Sequence, residues 1–225
     1  MKRSIFSILV LIALLFVSCD KQASKTIINI DDNKIGIIGY GSLMSKNSME
    51  RTLNRSYNDS VYIVHLQNYQ RAWNHVRSMD ALSNDLFYIN KKDTIPFKNE
   101  LALNIEESKN DRLNCVLFFI SPEELKEFDK REFGYKRIDV TDRIEEFEIS
   151  GTNVYAYQAE ENHTYVYQKN DNTFLPDFYV NTVINACDSI GKVFREEFES
   201  STRPYDNNKV ISPSDVYVKL KKNID

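Results

Sequence analysis

Apolar positions along the chain fall mostly in short bursts. Residues 35–40, 61–66, 86–90, 101–105, 115–120, 135–140, 147–149 and 154–157 are rich in Val, Ile, Leu, Phe and Tyr, and Asn, Asp, Lys and Ser separate them. Branched and aromatic side chains suit a pleated, half-buried surface, so each burst is predicted as a strand. Helical spacing is rarer. It predicts a short helix over 44–53, one opening at Ser121 and ending by Gly134, and a long one over 176–198. In the second, Ser121 and Glu124 form a capping box with Pro122 in the first turn, directing Leu125 and Phe128 inward. In the third, Tyr179, Val183, Ala186, Ile190, Val193 and Phe194 fall on the predicted inner face. The expected fold is α+β: one domain over residues 35–225, with a small mixed, mostly antiparallel sheet or barrel and a few flanking helices.

The N-terminus follows another pattern. Lys2 and Arg3 precede an apolar run over residues 5–17, and Ser18-Cys19 follows. That run is shorter than the roughly 20 residues that span a bilayer, and it fits the apolar part of an export signal. A small residue directly before cysteine resembles a lipoprotein signal. Residues 1–18 would then be removed and Cys19 acylated, anchoring the protein to a membrane. A plain secreted protein with an incidental Cys19 is the alternative. Residues 19–34 are polar and read as a tether. The expected location is that of an exported bacterial lipoprotein facing the periplasm or the cell surface.

Charge narrows the partners. The formal net charge of −4 becomes −6 once Lys2 and Arg3 are gone, and no basic block occurs, which disfavours nucleic acid. The histidines, His65, His75 and His163, show no metal-binding spacing, so neither a metal nor another cofactor is expected. Cys115 and Cys187 lack a nearby histidine, which leaves a thiol nucleophile unsupported; a disulfide between them is permitted but not implied. Trp73 and Arg71 read as structural.

Two stretches carry chemistry. The first is IGIIGYGSLMS at 35–45, where a strand runs into Gly39-Tyr40-Gly41-Ser42-Leu43. It lacks the third glycine of a dinucleotide fingerprint, the Lys-Ser/Thr of a phosphate loop and the G-x-S-x-G of a nucleophile elbow. The second is LKEFDKREFGYKRIDV at 125–140. Here Glu132 sits where a charged helix gives way to a buried strand, a boundary that can desolvate a carboxylate and make it a better base.

Together these stretches resemble the γ-glutamylcyclotransferase superfamily, which has a Tyr-Gly-Ser-Leu type loop, here residues 40–43, and a later acidic, arginine-containing stretch with a catalytic glutamate before Gly-Tyr. Asn68-Tyr69-Gln70-Arg71-Ala72-Trp73-Asn74 and Pro176-Asp177-Phe178-Tyr179 are similar to two further family segments. The resemblance runs in order over about residues 35–195. It implies an enzyme that cyclises a γ-glutamyl amide to 5-oxoproline and releases an amino acid or amine, with Glu132 as general acid and base and no cofactor. Tyr40, Gly41, Ser42 and Leu43 would bind substrate through backbone N–H groups, the glycines allowing close approach and positive φ. Tyr135 and Tyr179 would offer hydroxyl contacts or pack the core. A lipoprotein that keeps the fold and pocket but only binds a small molecule or peptide is the competing reading.

Overall fold

The computed structural model describes residues 25–79, 85–90, 93–168, 171–212 and 216–219. The expected export signal and Cys19 lie outside these residues. Strand β1 (Thr26–Asn29) is followed by β2 (Ile35–Gly39), a 3-10 turn at Ser42–Met44, and helix α1 (Lys46–Leu53). Two long strands, β3 (Tyr62–Ser78) and β6 (Asn99–Ile120), enclose the short β4 (Asp85–Asn90) and β5 (Asp93–Pro96). Helix α2 (Pro122–Arg131) leads to β7 (Tyr135–Asp139), β8 (Phe147–Ser150), β9 (Val154–Ala159) and β10 (Thr173–Pro176). Helices α3 (Asp177–Ile190) and α4 (Lys192–Ser200) follow, then β11 (Val210–Ile211) and β12 (Val216–Lys219).

The main sheet runs β11-β10-β6-β2-β9-β7, with β3 also paired to β6. It is mixed: β2 is antiparallel to β6 and parallel to β9. Over residues 115–120 of β6, 116–120 pair with β2 and 115–117 with β3, and every one of the six is buried. A strand covered on both faces has no polar side to alternate with, hence the unbroken run CVLFFI.

Three expectations need correction. Thr26–Asn29, read as part of a polar tether, is a strand that pairs in parallel with Phe147–Ser150. The helix expected over 176–198 is two helices, because Gly191 adopts φ 144° and ends the first. That break resets the helical phase, so Val193, expected inward, is 71% exposed while Phe194 and Phe198 are buried. Finally, the bursts at 61–66, 101–105 and 115–120 are portions of two much longer strands, whose ladder shifts register around Asn68 and again between Ala72 and His75.

The capping box forms as expected: the Ser121 hydroxyl accepts from Glu124 N–H at 3.3 Å, and the Glu124 carboxylate accepts from Ser121 N–H at 2.9 Å. Leu125 and Phe128 anchor α2 in the core. This fixes where the helix ends, at its C-cap Glu132. Cys115 and Cys187 are both free and buried. Burial pushes their thiols up to about 12 and about 11, so neither is a ready nucleophile.

Candidate active site

Central strand β2 delivers the glycine loop to one end of the sheet. An added Cβ on Gly39 would lie 2.8 Å from the Leu43 carbonyl oxygen, and one on Gly41 would lie 3.2 Å from the Tyr179 hydroxyl. These glycines therefore serve close approach. Neither has positive φ, contrary to expectation; that geometry belongs to Gly134, Gly151 and Gly191. The Ser42 and Leu43 N–H groups open the 3-10 turn, where no intrahelical acceptor exists for them.

Glu132 reaches the same place from the end of α2. Tyr40, Gly41, Ser42, Leu43, Leu103, Glu132, Tyr135, Tyr157 and Tyr179 line one recess of about 30 Å³. It adjoins an outer cavity of about 390 Å³, whose wall shares Ser42, Glu132, Tyr135 and Tyr179 and adds Arg51, His75, Arg77 and Glu100. The two stretches singled out in the sequence thus face one space. The Glu132 side chain is 15% exposed, and burial raises its pKa above the ordinary carboxylate range. The Arg131 guanidinium, with Nε 3.1 Å from Glu132 Oε1, opposes that rise.

Arg131 ties the carboxylate to the loop. It donates to Ser42 Oγ at 3.0 Å, Ser48 Oγ at 2.8 Å, the Ser48 carbonyl at 2.9 Å, and Thr52 Oγ1. Sequence reasoning passed over Arg131 as part of a wet charged run, although its place beside Glu132 was a usable signal. Ser48, Leu103 and Tyr157 carried none.

Four tyrosines surround the recess, and their hydroxyl protons sort them. Tyr40 donates to the Tyr157 carbonyl, Tyr157 to Asp129 at 2.8 Å, and Tyr135 to the Leu103 carbonyl at 2.6 Å. The Tyr179 hydroxyl accepts from Leu103 N–H at 3.2 Å, which leaves its own proton uncommitted. Of the two tyrosines expected to offer hydroxyl contacts, Tyr179 thus keeps its proton, whereas Tyr135 spends its own on the backbone. Trp73 packs edge-on against Tyr179, with ring centres 6.0 Å apart. Burial, above all, lifts every one of these phenols well above its ordinary range, Tyr179 to about 12, so none is a base near neutrality. Arg71 is fully buried and stacks on Phe198, donating to Thr202 Oγ1 at 2.8 Å and to the Asn114 carbonyl. It braces β3 against the end of α4.

His75, also overlooked, stacks on Tyr135 with ring centres 3.9 Å apart and is 3% exposed. Burial, helped by nearby His163, lowers its pKa to about 4. The folded protein thus keeps His75 neutral, whereas the unfolded chain protonates it near 6.5. Stability from this difference is fully present above about pH 6.5 and lost as pH falls through 4, a span of about 3 kcal/mol. In His75→Phe, denaturant titrations across that window should show a shallower loss of stability on acidification than in the parent. An unchanged slope would rule His75 out as its source.

Away from this site, His65, Glu145 and Glu146 each bring one donor atom within 4.8 Å of the others, a grouping that sequence spacing did not reveal. Its members already engage neighbours: His65 Nδ1 meets Glu146 at 2.5 Å, His65 Nε2 meets Glu197 at 3.2 Å, and Arg112 meets Glu145 at 3.0 Å.

The sheet order and flanking helices are those of a mixed α/β protein of the γ-glutamyl cyclotransferase-like fold. Among solved structures, one described as a γ-glutamyl cyclotransferase matches 79% of this chain and 94% of its own, with TM-score 0.51 and 11% identity. A human uncharacterised protein, loc79017, matches 78% of this chain and 92% of its own, with TM-score 0.47 and 15% identity. A yeast γ-glutamyl cyclotransferase specific to glutathione matches 78% of this chain and 100% of its own, with TM-score 0.45 and 10% identity. At 11% identity, the first of these likenesses is one of fold. No protein-family model matches the sequence, and no curated protein does.

Proposed function

We propose that this protein is a γ-glutamyl cyclotransferase, converting a γ-glutamyl amide to 5-oxoproline and a free amine or amino acid. One observation carries the reading: a desolvated carboxylate, Glu132, shares a small recess with the Ser42 and Leu43 amides and the unspent hydroxyl proton of Tyr179. The reaction is intramolecular. The substrate α-amine forms a bond to the carbonyl carbon of its own γ-glutamyl amide, closing a five-membered lactam, and the bond from that carbon to the leaving nitrogen breaks. Holding nucleophile and electrophile together supplies much of the acceleration without a covalent enzyme intermediate. Glu132 takes the proton released by the attacking nitrogen and returns it to the leaving one. Negative charge building on the carbonyl oxygen is met by the loop amides, Tyr179 or both. The raised pKa fits this cycle, since a base that must also return its proton works best with a pKa near the working pH.

The test is 5-oxoproline release from γ-glutamyl amino acids, glutathione and γ-glutamyl-lysine peptides. Product that disappears in Glu132→Gln supports the reading. If no substrate yields product although the ligands bind, the protein is the binding module that the sequence also allows. We extend the proposal to location: Cys19 carries the lipid that anchors the domain to a membrane, facing the periplasm or cell surface. In Cys19→Ala, the protein should move from the membrane pellet to the soluble fraction; retention in the pellet would overturn acylation at this residue.

A further inference from the structure

A second and larger depression, about 980 Å³, lies between α1 and α3, and Arg51 and Thr182 line both it and the outer cavity. The catalytic space therefore continues into a groove. Its walls are amides, hydroxyls and cations: Asn47, Asn54 and Asn185 among the first, Ser45 and Ser189 among the second, and Lys46, Arg51 and Arg55 as the third. Glu50 is its one acidic lining residue. On a chain of net charge −4, that is a local reversal of sign.

The cations are not equally committed. Arg55 is held by Glu124 at 2.5 Å, and Lys46 is only loosely paired with Glu50 at 3.7 Å. Arg51, at the junction, has no ion-pair or hydrogen-bond partner among the described residues. In the outer cavity Arg77 pairs with Glu100, and Arg131 pairs with Glu132. Arg51 is thus the unspent charge where the leaving group would exit. Side-chain amides and hydroxyls along the walls can serve both the donors and the acceptors of an extended peptide backbone.

From this continuity, polarity and charge we infer that the leaving group is an anionic peptide of several residues, lying along the α1–α3 groove with Arg51 at its entrance. The inference rests on the cyclotransferase reading and specifies its substrate. An outer cavity of about 390 Å³ is room enough for one amino acid, so the groove is redundant for a single-residue leaving group.

The experiment is a ladder of γ-glutamyl substrates: γ-Glu-Ala, γ-Glu-Ala-Ala, γ-Glu-Ala-Ala-Glu and the C-terminal amide of γ-Glu-Ala-Ala-Gln. Each is assayed for turnover by the parent and by Lys46→Glu/Arg51→Glu, and for binding by calorimetry to Glu132→Gln with and without those two substitutions. Extension with retained negative charge should raise kcat/KM tenfold or more in the parent, the uncharged amide should gain much less, and the double variant should lose the advantage. Turnover that is flat along the ladder, or an advantage that survives in the double variant, overturns the groove while leaving the cyclotransferase intact. Absence of turnover with length- and charge-dependent binding that the double variant abolishes does the reverse. Neither turnover nor binding sinks both.

Discussion

Replacing Glu132 by Gln should lower kcat for 5-oxoproline formation by about 10²–10⁴-fold while making the protein more stable at neutral pH. The activity loss follows from removing the one carboxylate that lines both recess and outer cavity. The stability gain follows from the sign of the pKa shift. Burial raises the Glu132 pKa, so the folded state binds the proton more tightly than the unfolded chain. Its ionised form therefore destabilises the fold above the ordinary glutamate range, and that penalty vanishes once the pH is low enough to protonate the group in both states. A neutral amide of the same shape relieves the penalty, and Arg131 still has Ser42, Ser48 and Thr52 to satisfy it. Melting curves at pH 7 and pH 4 test this directly: the variant should melt higher at pH 7, and the difference should shrink at pH 4. Activity within tenfold of the parent would place the base elsewhere.

Arg131→Met should also be damaging, though less so, by another route. Arg131 lines the outer cavity but not the inner recess; it positions Glu132 and the serine loop, and its charge lowers the carboxylate pKa. Losing the charge moves the acid limb of the kcat/KM profile to higher pH, and losing the contacts loosens the loop, with a combined cost of about 10–100-fold in kcat/KM. Arg131→Lys separates the two effects. It keeps the charge but not the fork, so its acid limb should stay near the parental position while activity recovers only in part. An unshifted acid limb in Arg131→Met would show that the guanidinium is merely structural.

Much of this site was legible because chemistry and chain order coincided. The Tyr40-Gly41-Ser42-Leu43 loop was marked by glycines at the end of an apolar strand, and Glu132 by a charged helix giving way to a predicted strand; such signals are local. What brings them together is not local. Glu132 meets the loop because α2 leaves the end of β6, the strand next to β2, and returns past it. The roles of Tyr135 and Tyr179 were undecidable from sequence, since both are tyrosines near helical or strand ends. They were divided by a single residue, Leu103, whose carbonyl takes one proton and whose N–H meets the other oxygen. Strand lengths were underestimated where polar residues such as Asn68, Glu107 and Asn110 interrupt β3 and β6, because a shifted register tolerates exposed side chains that periodicity reads as a loop. Gly191 was visible in the sequence, but helical spacing continued past it well enough to conceal the break.

The parallel pairing of β1 with β8 has a consequence for how the chain comes together. Thr26 is made early, yet its partner Phe147 arrives only after the entire β3–β6 hairpin, α2 and β7 have been laid down. Closing so distant a contact costs more chain entropy than closing the hairpin, so the core can assemble before its first strand is seated. Until Ser150 has been synthesised, the N-terminal strand has nothing to hold it, and whatever receives the head of the nascent chain meets a segment not yet committed to the sheet.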